Sequence, residues 1–160
     1  MLLRSAEGSF SRGLQALERG RLREAMALFE AALEIEKRRG VAFHQPRYLS
    51  FYGLCVGIAA GRLAEGIRLC RQAVASEFYN PDLYWNLGRL LLAAGRRKQA
   101  YEAFVSGLRL EPRHLGLRRE LDRMGRRRRP PLGFLPRSNP LNVWLGKLAR
   151  AATARAGRPD

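Results

Sequence analysis

The sequence predicts an all-α protein built as a solenoid of helical hairpins, and two observations carry that prediction. A glycine-led turn recurs as Gly20-Arg21-Leu22-Arg23-Glu24-Ala25, Gly61-Arg62-Leu63-Ala64-Glu65-Gly66 and Gly95-Arg96-Arg97-Lys98-Gln99-Ala100. Apolar residues then follow at three- and four-residue spacing, the stripe of one helical face. The second and third glycines are 34 residues apart, and the first and second 41, an insertion of seven. A fixed period of this length marks a repeat architecture. A single hairpin cannot bury its apolar face alone, so about three stacked units are the minimum.

The first unit, about residues 6–39, places Gly13, Ala16, Gly20, Ala25, Phe29 and Ala32 at the repeat's key positions. Gly13 and Ala25 are small where two antiparallel helices must approach, and Phe29 supplies bulk where the hairpin meets its neighbour. Residues 40–46 make a longer connection, in which Val41, Ala42 and Phe43 can extend a helix that His44-Gln45-Pro46 ends. The second unit, 47–80, keeps Gly66, Cys70 and Ala73, but Gly53-Leu54 lets its first helix be read in two registers one residue apart. The third, 81–114, carries Tyr84, Leu87, Gly88, Leu91, Ala100, Phe104 and Gly107, and Pro112 stops its second helix. Leu117, Leu121 and Met124 share a face on a short helix that ends at Gly125 and caps the solenoid. Residues 1–125 thus form one domain.

A basic, proline-containing tail follows at 126–160. Arg126-Arg127-Arg128-Arg129 and Pro130-Pro131-Leu132-Gly133-Phe134-Leu135-Pro136 predict an extended segment anchored by Leu132, Phe134 and Leu135. Asn139 as N-cap and Pro140 at the first helical position then open a terminal amphipathic helix, 140–154. Its stripe of Leu141, Trp144, Leu145, Leu148 and Ala152 needs a surface: the solenoid itself, a partner or a membrane. Docking on the solenoid costs the least association entropy and is the expectation.

Over about Ala6 to His114 the pattern resembles the tetratricopeptide repeat, a 34-residue helix–turn–helix unit. The third unit matches best, with Tyr84, Leu87, Gly88 and Leu91 in the first-helix signature and Ala100, Phe104, Gly107 and Pro112 in the second. The resemblance implies a right-handed solenoid whose first helices line a concave groove. Carried over position by position, that groove holds Phe10, Leu14 and Leu17, then Tyr48, Phe51, Tyr52 and Cys55, then Trp85, Asn86, Arg89 and Leu92. Trp85 and Phe51 would anchor a bound segment, and Asn86 and Arg89 would bond its backbone or carboxylates. Some family members hold chaperone C-termini in a clamp of lysines, asparagines and an arginine. Those places hold Phe10, Leu14, Tyr52, Asp82 and Asn86 here, so the resemblance does not extend to the clamp.

The formal charge is +16, and it is lopsided. Residues 1–80 carry 12 basic and 8 acidic groups, a net of +4; residues 81–160 carry 18 and 6, a net of +12. Arg118, Arg119, Arg123 and Arg126 to Arg129 form a basic patch suited either to a solvated cap or to an acidic partner. No phosphate loop, paired metal ligands or activated nucleophile accompanies it, so neither an enzyme nor a cofactor is expected. His44 and His114 lie at unit boundaries and read as surface or capping residues. Cys55 and Cys70 read as buried packing residues that stay reduced in the cytoplasm, the compartment expected of a chain with no signal-type or membrane-spanning segment. The functional expectation is a protein–protein adaptor or scaffold holding a protein or peptide partner in the groove. The alternative is an RNA- or ribosome-associated protein that uses the arginine-rich region.

Overall fold

The computed structural model describes residues 5–40 and 44–125, and those up to Met124 form one compact unit. The expected course of residues 41–43 and of the whole tail, 126–160, lies outside the described residues. Seven α-helices run through the described residues with no strand among them: α1 Ala6–Glu18, α2 Leu22–Arg38, α3 Pro46–Ala59, α4 Leu63–Ser76, α5 Pro81–Ala93, α6 Arg97–Leu110 and α7 Leu115–Met124. The first six pair as three hairpins, each stacked on the next, and α7 covers α6 at the far end. The fold is the all-α helical-hairpin solenoid that the repeat predicts.

Local chemistry starts and stops these helices. Ser5 caps α1, its Oγ accepting from the Gly8 amide at 3.0 Å, and Asn80 caps α5, its Oδ1 accepting from the Asp82 amide at 3.1 Å. Pro46 and Pro81 occupy first-turn positions, where a missing N–H costs nothing. Gly20 and Gly95 turn the chain at φ 73° and 72°, a left-handed conformation that a side chain disfavours. The Arg21 amide then reaches back to the Ala16 carbonyl at 2.9 Å, and the Arg96 amide to Leu91 at 2.8 Å.

The middle turn differs. The Arg62 amide reaches back to Val56, six residues rather than five, and α3 has 14 residues where α1 and α5 have 13, so one extra residue lies between Gly53 and Gly61. The extra residue settles the register of α3. Gly53 becomes the counterpart of Gly13 and Gly88, and Pro46, not Arg47, opens the unit.

Packing inside each hairpin explains the small residues. A methyl at Gly13 would lie 2.5 Å from the Phe29 ring, and one at Gly88 would lie 2.2 Å from Phe104. Each ring therefore fills the space a side chain at the glycine would need. In the middle hairpin Cys70 replaces the phenylalanine, and the two helices close further. A Cβ on Gly66 would meet the Gly53 carbonyl oxygen at 2.5 Å and the Gly57 backbone at 3.0 Å. The Cys70 thiol donates to the Ser50 carbonyl at 3.3 Å. Ser50 Oγ also accepts from the Asn86 amide at 3.2 Å, which ties α4, α3 and α5 together.

Two apolar clusters result. Phe10, Phe29, Tyr48 and Phe51 join α1, α2 and α3, with ring centroids 4.7 to 5.6 Å apart. Leu54, Ile67, Leu87, Leu90, Phe104 and Leu117 join the remainder. Leu17 packs against both.

Candidate binding groove

The face shared by the first helices follows from which side chains meet across them. On α3, Tyr48, Phe51 and Cys55 face the α1–α2 cluster, while Ser50, Leu54 and Gly57 face α5. Between these two sides runs a stripe at helical spacing, Arg47, Phe51, Leu54 and Ile58. Arg47 and Ile58 are its accessible ends; Ile58 is 37% exposed. The corresponding line on α1 runs through Glu7 and Leu14, and on α5 through Asp82 and Arg89.

Half of the expected groove residues are packing residues. Phe10, Tyr48 and Phe51 are buried in the aromatic cluster. Tyr52 turns toward α2, where its hydroxyl donates to Glu30 Oε1 at 3.4 Å. Both tyrosines leave the groove line because the extra residue between Gly53 and Gly61 shifts α3 by one residue against the register that had placed them there. Cys55 is buried as well, and burial pushes its thiol up to about 11. Cys70, on α4, is pushed up to about 12 by the same cause. Asn86, expected to offer its amide to a ligand, is fully buried and spends it on Ser50.

Trp85 is half-buried against α7. A Cβ on Gly116 would lie 2.7 Å from its indole, and its ring meets that of His114 edge-on at 5.5 Å. Leu14, Leu17, Arg89 and Leu92 remain half-exposed. The accessible groove is therefore aliphatic with charged groups, and less aromatic than the sequence suggested.

Along this face Glu7, Arg47 and Asp82 each have an ion-pair or hydrogen-bond partner, and Arg89 has none among the described residues. Arg47 bridges to Glu7 and stands over the Phe10 and Tyr48 rings at 5.1 and 5.2 Å. Tyr48 donates to the same carboxylate at 2.6 Å; burial, then Glu7, push the phenol up to about 12. Asp82 holds His114 Nε2 at 2.9 Å, and His114 Nδ1 accepts the Leu117 amide at 3.1 Å, so His114 caps α7. His44 likewise meets a carboxylate, lying 3.3 Å from Glu36, whose Oε2 also accepts the Gln45 amide at the start of α3. These two carboxylate partners, 32 and 8 residues away in sequence, are visible only in the fold.

Arg89 is the exception. Its guanidinium lies 5.4 Å from the Trp85 ring centroid, half-buried, and forms no ion pair among the described residues. Burial lowers its pKa, an effect that Glu120 on α7 partly offsets. Glu120 itself pairs with Arg123 at 3.6 Å. Arg118, Arg119 and Arg123 of the expected basic patch are exposed on α7, while Arg126 to Arg129 lie outside the described residues.

Among the described residues, no group of three or more His, Cys, Asp and Glu side chains is placed to hold a metal ion. None of their helices is long and apolar enough to cross a membrane.

Residues 57–118 match the tetratricopeptide repeat family. The fold is similar to the TPR domain of Arabidopsis OM64, at 16% identity and a TM-score of 0.60, over 78% of this chain and 97% of that one. It is similar also to the first TPR of Spaghetti (RPAP3) bound to the HSP90 peptide SRMEEVD, at 18% identity and a TM-score of 0.60, over 75% and 92%. A third likeness is to PcrH in complex with the chaperone-binding region of PopB, at 18% identity and a TM-score of 0.57, over 74% and 93%. No curated protein matches the chain in sequence.

Proposed function

Because this chain is a tetratricopeptide-repeat protein, we propose that it works as a non-catalytic adaptor that holds an extended or helical segment of a partner protein on the face of α1, α3 and α5. The observation that carries this reading is the accessible stripe of Leu14, Ile58, Arg89 and Leu92 on otherwise tightly packed helices. Stacked hairpins leave such a face open along their length, and that is where repeat solenoids gain binding area. Two of the similar structures hold peptide partners, which supports the same use here. Their ligands do not transfer with the fold. At the places of the chaperone clamp this chain has Leu14, Asp82 and a buried Asn86, and Asp82 is engaged by His114.

The test is selection of random dodecapeptides displayed on phage against the full chain. Recovered peptides should bind in solution and lose affinity on Ile58→Glu, which alters an exposed groove residue without touching the core. Arg109→Gln, an exposed change on α6, should leave binding intact. Peptides indifferent to Ile58→Glu would place the binding surface elsewhere. Failure to recover any binder, together with capture of RNA that is lost on nuclease treatment and at high salt, would favour the nucleic-acid reading.

A further inference from the structure

We propose that Arg89 is an acidic-residue selector within the groove: it receives the Asp or Glu side chain of a bound protein segment, with apolar side chains of that segment seated on either side. This deepens the adaptor reading and rests on it.

In the first turns of α1, α3 and α5, Glu7 is ion-paired with Arg47, and Asp82 accepts a hydrogen bond from His114. On α7, Arg123 is matched by Glu120. Arg89 stands in the middle of α5 without a carboxylate in ion-pair contact among the described residues, although it is half-buried and lies 5.4 Å from the Trp85 ring centroid. Removing a guanidinium from water without a carboxylate is unfavourable, and arginine cannot escape by losing its proton. The indole of Trp85, 5.4 Å away at its centroid, attracts the guanidinium through its π face and limits where it can go, so a carboxylate pays less to order it.

The surroundings point to a side chain of a continuing segment rather than to an isolated anion. Leu92 lies about one turn further along α5, and Leu14 and Ile58 lie on the neighbouring first helices. An acidic residue flanked by aliphatic ones matches this order of groups. Glu120 on α7 is near enough to act on Arg89, and its negative charge penalises a highly charged polyanion more than a single carboxylate.

The same dodecapeptide library, panned in parallel on the full chain and on its Arg89→Gln and Arg89→Lys variants, reads the proposal directly. Peptides recovered on the native chain should share an Asp or Glu between apolar residues, and Arg89→Gln should abolish that preference. For one recovered peptide, changing its acid to the amide should weaken binding about 10-fold or more to the native chain, as expected for a charge-assisted hydrogen bond, and hardly at all to Arg89→Gln. Arg89→Lys, which keeps the charge and loses the planar fork, should fall between. Melting curves of each variant verify that the fold is intact.

Peptides that bind the groove, lose affinity on Ile58→Glu and yet carry no acid would overturn the Arg89 role and leave the adaptor reading standing. Dependence on a free C-terminal carboxylate, shown by loss on amidation, would reassign the site from a side chain to a chain end. Displacement by an oligouridylate 12-mer in an Arg89-dependent manner would overturn the proposal in favour of nucleic acid. Recovery of no groove binder at all would overturn both readings.

Discussion

Gly66→Ala is the substitution on which two physical effects give opposite signs. Alanine is about 1 kcal/mol better than glycine inside a helix, so propensity alone predicts a more stable protein. The structure predicts the reverse. The new methyl would sit 2.5 Å from the Gly53 carbonyl oxygen and 3.0 Å from the Gly57 Cα and N, all of them backbone atoms of α3 that no rotamer change can move. The two helices would have to separate by about 1 Å. Overpacking of this kind costs roughly 1–3 kcal/mol, and a backbone contact belongs at the upper end. Subtracting the propensity gain leaves a net loss of about 2 kcal/mol. For a domain of this size that corresponds to a fall in Tm of roughly 5–10 °C. Thermal melting followed by circular dichroism at 222 nm reads it, with urea unfolding as the second measure. A variant that melts at or above the native temperature would refute the backbone contact between α3 and α4, and with it the account of why Cys70 stands where the neighbouring hairpins carry phenylalanine.

Glu36→Ala removes the buried carboxylate that receives the Gln45 amide and meets His44; it should cost about 1 kcal/mol, read as a lower urea midpoint, without altering α1. Trp85→Ala should lower Tm clearly, by about 2 kcal/mol of stability for a half-buried aromatic packed on Gly116 and His114; an unchanged melt would return Trp85 to the role of an exposed anchor. The thiols of Cys55 and Cys70, pushed up to about 11 and 12 by burial, should resist a thiol-reactive dye at pH 8 until the chain unfolds. Because the folded state holds these protons more tightly than the unfolded one, their contribution to stability is complete below about pH 9. It should be lost as pH rises through 11 to 12, which alkaline melting curves will show.

The hairpins were legible because their signals are local. A glycine-led turn, a stripe at helical spacing and a proline stop lie within one unit, and the resulting solenoid is the one observed. The groove was harder to read because it is set by meetings between units. Nothing near Asn86 in sequence shows that Ser50 will take its amide, and nothing near Trp85 shows that Gly116 will receive its ring. Tyr48 and Tyr52 were misplaced by a single extra residue between Gly53 and Gly61, which rotates α3 by about 100° relative to the expected register. Arg89 was recognised as a candidate, but its distinction from Arg47 lies in the Glu7 bridge that only the fold brings to Arg47. The arginine run and the apolar stripe of the tail, Leu141 to Ala152, lie outside the described residues.

The central claim is that a partner segment lies on the face of the first helices. Chemical-shift mapping tests it most directly, with a peptide recovered by selection titrated into the isotope-labelled full chain. The account predicts saturable shifts at Leu14, Ile58, Arg89 and Leu92, with the second-helix positions Arg23, Arg68 and Arg109 unmoved. Saturable shifts confined to α2, α4 and α6, with the groove positions unchanged, would contradict it.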